Sequence, residues 1–151
     1  MTLEDFFPYR LAIAAETFSR NLSQVYGTAY GLTREEWRLM FLLADVPSIT
    51  SLELSRRTTL DKVQVSRAAK RLEDKGYITR AIEQKDRRLR SYEMTQAGRE
   101  VFDDVMPQVN ARTMEILDDL SKTDRAALTK GLKALHTAAA ARLAQSDEDN
   151  A

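Results

Sequence analysis

The segment from Thr50 to Met94 restricts the fold most, because its helix and strand signals follow one another at short intervals. Thr50-Ser51-Leu52-Glu53 is a capping box that opens a short helix, with its leucine expected to face inward. Asp61 is placed to cap a second helix, which Gly76 ends as a C-terminal glycine does. Alternating apolar and polar residues over 77–94, around a charged turn, predict a β-hairpin. The segment therefore predicts a helix, a tight turn, a second helix and a hairpin.

Positive charge is concentrated in the same part of the chain. Residues 55–90 include twelve basic and five acidic side chains, a net charge of +7, whereas the whole chain has 23 of each. The remainder therefore has a net charge of −7. A neutral protein with such a separation has a cationic face, for which a polyanion is the natural partner. Combined with the predicted helix-turn-helix shape, this charge indicates DNA.

Composition argues against several other classes of protein. The 151 residues include no cysteine and one histidine, which excludes a disulfide framework and a thiolate metal site. We therefore expect no metal and no cofactor. Without a cysteine nucleophile, a triad setting for His136 or a glycine-rich phosphate loop, we expect no enzyme either. No apolar run approaches 18 residues, so we expect a soluble, cytoplasmic protein without a membrane segment.

Amphipathic helices flank the central segment on both sides. An apolar stripe from Leu11 to Val25 predicts a first helix that begins near Pro8 and is broken by Gly27 and Gly31. Thr33-Arg34-Glu35-Glu36 is a further capping box, which opens a second helix. Two more helices are predicted after the hairpin.

The apolar stripes of the terminal helices exceed what the small central unit can cover. We expect a second copy of the chain to cover them, which predicts a symmetric homodimer. The predicted organisation is an N-terminal dimerisation helix at 1–30, a winged helix-turn-helix region at 31–95 (helix-turn-helix about 51–75, wing about 77–94), C-terminal dimerisation helices at 96–145 and a disordered tail at 146–151.

The second helix of the central segment offers suitable chemistry for reading DNA. Its apolar stripe is narrow, and the positions largely off that stripe are Lys62, Gln64, Ser66, Arg67, Lys70 and Arg71. Arginine and lysine can reach guanine edges or phosphates, glutamine can pair with adenine, and serine can do either. The hairpin tip is a cationic finger suited to the minor groove, with the candidate residues Asp86, Arg87, Arg88 and Arg90.

Three motifs in register resemble the MarR family of homodimeric winged helix-turn-helix regulators. They are Leu52-Glu53-Leu54-Ser55 with the helix that runs from Val65 to Ile78, the wing motif Asp86-Arg87-Arg88, and Met94-Thr95-Gln96-Ala97-Gly98. The resemblance implies a mainly α fold (an α+β winged helix) with six helices, a small β-hairpin wing and dimerisation helices from both termini. It also implies a pseudo-palindromic double-stranded DNA operator as partner.

The resemblance further implies roles for individual residues. The second helix of the motif would enter the major groove through Lys62, Gln64, Ser66, Arg67 and Lys70. The wing Arg88 would enter the minor groove, oriented by Asp86. A small-molecule effector would bind between the DNA-binding and dimerisation regions, in a pocket lined by Tyr26, Tyr30, Trp37 and Arg38, and would release a repressor from DNA.

Plainer interpretations stay open beside these. Arg67 and Lys70 could form a solvated helix face, and Asp86 with Arg88 could be an incidental surface ion pair. Trp37 could belong to the core, and His136 could be an ordinary side chain of the dimerisation region. For the whole chain, the alternative is a winged-helix module whose basic face docks an acidic protein partner.

Overall fold

The computed structural model describes residues 2–149. After a 3-10 turn at Leu3–Asp5, the elements in chain order are α1 (Phe7–Tyr30), α2 (Arg34–Ala44), β1 (Ile49–Thr50), α3 (Ser51–Arg57), α4 (Lys62–Asp74), β2 (Ile78–Ile82), β3 (Arg90–Met94), α5 (Gln96–Asp118) and α6 (Lys122–Asp149). Six helices with a small sheet confirm the predicted mainly α, winged-helix fold.

Helix α1 continues past Gly27 to Tyr30, and Gly31 is its C-cap. Gly31 adopts a left-handed conformation with φ of 63°, and its N–H donates to the Gly27 carbonyl at 3.0 Å. Leu32 N–H donates to the Tyr26 carbonyl at 3.1 Å and completes the C-terminal cap. The prediction that Gly27 breaks the helix is wrong, because one interior glycine costs only about 1 kcal/mol and a strong cap lies one turn later.

Side-chain caps begin the next three helices. The boxes at Thr33 with Glu36 and at Asp61 with Gln64 are complete in both directions. Thr50 Oγ1 accepts from the Glu53 N–H at 3.2 Å, which is one half of the box predicted at that position. These bonds satisfy helix N–H groups that have no partner within the helix.

Helix α3 buries a different leucine from the one predicted. Leu52, expected to face inward, is 37% exposed, whereas Leu54 is completely buried. Because the helix has only seven residues, its sequence does not repeat long enough to reveal a buried face. Contact with α4 determines that face instead.

The sheet has three antiparallel strands in the order β1-β3-β2. The predicted hairpin pairs Ile78 with Met94 and Ile82 with Arg90. The additional strand β1 pairs Ile49 with Tyr92, and it anchors the wing to the start of α3. Two residues are too few for alternation to reveal a strand.

The chain divides into two compact units. The first unit ends at Arg112 and contains the hydrophobic core. It includes Leu39, Met40, Leu43, Leu54, Val65, Ala68, Leu72, Ile78 and Val105. These residues fix the inner faces of α2, α3 and α4, so the opposite face of α4 is turned to solvent.

The second unit begins at Thr113 and contains the end of α5 and all of α6. Arg125 Nη1 donates to Asp118 Oδ1 at 2.9 Å across the turn between the two helices. Helix α6 continues to Asp149, so residues 146–149 of the predicted disordered tail are helical, while residues 150–151 lie outside the described range. No glycine or proline follows Gly131 before Asp149 to end the helix.

Between residues 2 and 149, no helix has the length and apolar character needed to cross a membrane.

Candidate nucleic-acid interface

Helix α4 has one buried and one exposed face, as its sequence predicted. Val65, Ala68, Ala69 and Leu72 are buried. The predicted readers Lys62, Gln64, Ser66 and Arg67 are all exposed. Within the described residues, the Lys62 ammonium and the Arg67 guanidinium form no hydrogen bond or ion pair. Their charges are therefore open to an external anion.

Gln64 is exposed, and it also forms part of the cap at the start of α4. Its Oε1 accepts from the Asp61 N–H at 3.1 Å, and its own N–H donates to Asp61 Oδ1 at 2.8 Å. Bidentate pairing with adenine needs both the side-chain carbonyl and the side-chain amide. The Nε2 group of Gln64 is therefore available to donate to a base. Its side-chain carbonyl can make a second bond to the same base only when the capping bond from the Asp61 N–H is broken.

Two of the predicted readers have partners within the chain. Lys70 pairs with Asp74 one turn later on α4. Arg71 Nε donates to Glu36 Oε1 at 3.1 Å, so its guanidinium is directed at α2 instead of the exposed face that carries Arg67. The structure thus separates Arg71 from the other predicted contacts.

The sequence gives no indication of the buried carboxylate of Glu36, which contacts the C-terminal end of α4. Glu36 is completely buried and accepts from Arg71, from Lys75 Nζ at 2.8 Å and from the Thr33 N–H at 2.8 Å. Lys75 also donates to the Gly31 carbonyl at 2.8 Å. The only signal in the sequence was the capping box, which explains one of these bonds.

The wing turn is closed by Asp86. Its Oδ1 accepts from the backbone N–H of Arg88 at 3.0 Å, and its carbonyl accepts from Leu89 N–H at 3.0 Å. Arg90 Nη1 donates to the Arg87 carbonyl at 3.0 Å, so this half-buried arginine braces the turn. Asp86 therefore contacts Arg88 through the backbone N–H, and within the described residues the alternative of a side-chain ion pair between them is not formed. Within the described residues, the guanidinium groups of Arg87 and Arg88 have no partner.

A groove of about 500 Å³ joins α4 to the wing. It is lined by Ser51, Leu52, Ser55, Lys62, Ser66, Arg80, Arg88, Leu89, Arg90 and Tyr92. Arg80 is partly neutralised by Glu73 at 3.5 Å, and burial raises the pKa of Tyr92. The predicted helix residues Lys62 and Ser66 thus share one cationic surface with the predicted wing residue Arg88. Ser51 and Ser55, which the sequence does not indicate as contact residues, also line this groove.

A second cavity, of about 440 Å³, lies between α1, α2 and the end of α3. Of the four predicted pocket residues, Tyr26, Trp37 and Arg38 line it. Tyr30 does not, because its hydroxyl donates to the Asp104 carboxylate and accepts from Gln108 on α5. The remaining lining residues are Ser19, Leu22, Arg34, Phe41, Leu42, Arg57, Thr58 and Thr59.

Aromatic and cationic groups characterise this cavity. Trp37 is 8% exposed and stacks on Tyr26 and on Phe102, with centroid distances of 5.4 and 5.3 Å. Trp37 is therefore both a core residue and a cavity wall. Arg38 Nη1 donates to Thr59 Oγ1 at 2.7 Å. Burial raises the pKa of Tyr26, which keeps its phenol neutral.

Glu16 forms an ion pair with Arg34, another residue that lines the cavity. Its carboxylate accepts two bonds from Arg34, at 2.7 and 3.1 Å, and these bonds lower the pKa of Glu16 to about 2. Bidentate pairs of this kind are directional and strong. An anion that enters the cavity therefore has to share Arg34 with Glu16.

The described residues provide no metal site, and their single histidine has no evident role. Among the side chains that the structure describes, no group of three or more histidine or acidic residues is placed to hold a metal ion. His136 lies exposed on α6, and no role follows from that position.

Comparison with known proteins identifies the architecture. A model of the MarR family matches residues 30–89, which contain two of the three motifs that carried the resemblance. An uncharacterized HTH-type transcriptional regulator of Bacillus subtilis, YdgJ, is 26% identical over 95 residues. That alignment covers 63% of this chain and 58%, under two thirds, of YdgJ.

Two solved structures share the fold. BpsR of Bordetella bronchiseptica, whose DNA binding is regulated by 6-hydroxynicotinic acid, has a TM-score of 0.79 at 18% identity, covering 90% of this chain and 96% of BpsR. Sco3205, a MarR family regulator from Streptomyces coelicolor in complex with DNA, has a TM-score of 0.78 at 22% identity, covering 90% and 88%. These likenesses show that the fold is shared, and the match over residues 30–89 confirms the predicted resemblance to the MarR family.

Proposed function

We propose that this chain, a member of the MarR family, is a sequence-specific DNA-binding transcriptional regulator. The observation that supports this most is the groove that places Lys62 and Ser66 of α4 on the same surface as Arg88 of the wing. A helix and a wing that present unpaired cations side by side can follow adjacent grooves of a duplex. An enzymatic role forms no part of the proposal.

In this proposal α4 enters the major groove and the wing enters the minor groove. Arg67 and the amide of Gln64 read base edges, whereas Lys62, Ser66 and Lys70 contact phosphates or bases. Arg88, with Arg87 beside it, supplies charge to the narrow groove. We assign Arg90 and Arg71 to positioning, since each already bonds within the chain.

The regulator acts as a cytoplasmic homodimer in this proposal. Large apolar side chains stand exposed on α1, among them Leu11 and Ile13, and on α6, among them Leu128, Leu132 and Leu143. A second copy of the chain is the simplest cover for them. Two recognition helices would then meet a pseudo-palindrome with half-site centres about 10 bp apart. A stable folded monomer in light scattering at micromolar concentration would contradict the dimer.

A small aromatic acid is the effector class that suits the 440 Å³ cavity. Tyr26 and Trp37 offer aromatic faces, and Arg34 and Arg38 offer cations for a carboxylate. The proposal draws on BpsR, whose DNA binding responds to such a compound. Binding here would release a repressor from its operator. Thermal unfolding in the presence of a panel of aromatic carboxylates, for this protein and for Arg38→Ala, measures the interaction directly.

Selection from a randomised duplex library tests the proposed function itself. The expected result is enrichment of a pseudo-palindrome that footprinting then locates upstream of the protein's own gene or its neighbours. Recovery of unenriched sequences after repeated rounds would contradict sequence-specific binding.

A further inference from the structure

The bond that Glu36 accepts at the start of α2 does not explain why its carboxylate is completely buried. It has no exposed surface, yet it holds Arg71 at 3.1 Å and Lys75 at 2.8 Å. Those two cations come from the last turn of α4 and its C-cap, 35 and 39 residues away in sequence. A carboxylate at a helix start could be satisfied by its own cap and water, so burial under two cations needs another reason.

The network joins three elements at one point. Glu36 lies in the first turn of α2 and caps the Thr33 N–H. Lys75 also donates to the Gly31 carbonyl, which lies at the end of α1. The C-terminal end of α4 is therefore attached to the junction of α1 and α2 by charged hydrogen bonds, which are shorter and stronger than neutral ones.

We propose that Glu36 is a positioning residue that sets the direction in which α4 presents its reading face. The apolar stripe of α4 is narrow and includes two alanines, Ala68 and Ala69. Small apolar contacts resist sliding and rotation of a helix weakly, whereas a carboxylate that bridges Arg71 and Lys75 permits one orientation. This inference rests on the proposed function, since it concerns how α4 meets DNA.

Base contacts depend on that orientation more than phosphate contacts do. A base edge is read by hydrogen bonds that weaken steeply with distance and angle, whereas attraction to phosphates is long-ranged and tolerant. Loss of the Glu36 anchor should therefore lower affinity for the correct sequence and leave affinity for random DNA nearly intact. A role limited to overall stability would change both affinities in the same proportion.

The adjacent Glu35 supplies a matched control. Glu36→Gln and Glu35→Gln remove the same charge from neighbouring positions of α2, but Glu35 has no hydrogen bond or ion pair within the described residues. Both variants raise the net charge by one, so any purely electrostatic gain in DNA affinity appears in both. If Glu36→Gln does not fold, Lys75→Gln replaces it by removing one of the two cations, and Lys133→Gln at an exposed position of α6 is then the control with the same change of net charge.

Two measurements test the proposal. The first is affinity for a duplex selected by the unaltered protein and for random duplex at one salt concentration. Glu36→Gln should bind the selected duplex at least about tenfold more weakly than Glu35→Gln, with random-duplex affinities within about twofold. The second is amide hydrogen exchange over residues 68–75, which should be faster in Glu36→Gln than in Glu35→Gln.

Each outcome decides something distinct. Equal affinities of the two variants for both duplexes, or parallel losses on both, would overturn the positioning role. If the unaltered protein selects no duplex, the proposed function fails, and hydrogen exchange alone decides whether Glu36 restrains α4. Unchanged exchange in Glu36→Gln would then reject the inference as well.

Discussion

The carbonyl oxygen of Tyr77 lies 2.1 Å from the point that a Cβ atom would occupy at Gly98. The same carbonyl accepts from the Thr95 N–H at 3.0 Å, and Thr95 Oγ1 donates to the Gly76 carbonyl at 2.7 Å. The first turn of α5 is thus held directly against the chain that connects α4 to the wing. Glycine at 98 is required by this close approach.

Gly98→Ala should destabilise the protein by about 3 kcal/mol, because a backbone carbonyl cannot move aside as a flexible side chain can. Gly131→Ala on α6 is the matched control, since nothing lies within 4 Å of its Cβ position. That variant should be neutral or more stable by up to about 1 kcal/mol. Urea unfolding of both variants measures the difference. A Gly98→Ala protein as stable as the original would show that the contact relaxes freely.

Glu16 should contribute to stability in a defined acidic range. Its pKa falls from 4.5 to about 2 in the folded chain through the Arg34 hydrogen bonds, so the folded state favours the ionised form. The contribution is present above about pH 4.5 and is lost as the pH falls towards 2. Glu16→Gln should therefore flatten the dependence of unfolding free energy on pH in that range. Exposed Glu4 provides the control substitution, and identical curves for Glu16→Gln and Glu4→Gln would contradict the pairing.

The parts of the fold that could be predicted from the sequence depend on neighbouring residues. The caps at Thr33 and Asp61 and the glycine turn at Gly76 each involve groups within a few residues of one another. Their signatures are therefore present in short windows of sequence. The exposed face of α4 followed from the same local periodicity.

The parts that could not be predicted depend on residues far apart in the chain. Glu36 meets Lys75 across 39 residues, and Tyr30 meets Asp104 across 74. The family resemblance implies an effector pocket with Tyr30 among its expected lining residues, but the Tyr30 hydroxyl bonds instead to Asp104 and Gln108 on α5. No periodicity records such contacts, since they arise only when the helices pack together.

Arg67 should carry base discrimination through its forked guanidinium. Arg67→Ala should reduce the preference for the selected duplex over random DNA by about 1–3 kcal/mol. Arg67→Lys keeps the charge but loses the bidentate geometry, so it should retain the random-duplex affinity and still lose discrimination. Competitive binding of the two duplexes to each variant measures this. Full discrimination in Arg67→Lys would show that Arg67 contacts only phosphate.

The wing should act on all DNA alike. Arg88→Ala should weaken binding to selected and random duplexes together, because a minor-groove cation responds to groove shape and charge. Asp86→Ala should cause a milder loss, since it removes the acceptor for the Arg88 N–H. Asp86→Asn keeps a side-chain oxygen at that place and should bind nearly as the original protein does. If Arg88→Ala leaves both affinities unchanged in a folded protein, the wing does not touch DNA.

The salt dependence of binding to the selected duplex tests the central claim most directly. The cationic face that joins Lys62 and Ser66 to Arg88 should release counterions when it meets DNA. If each subunit of the dimer neutralises about four phosphates, a plot of log K against log salt concentration should have a slope of about −7. A slope near zero would contradict DNA binding through this face and favour a winged-helix module that docks an acidic protein.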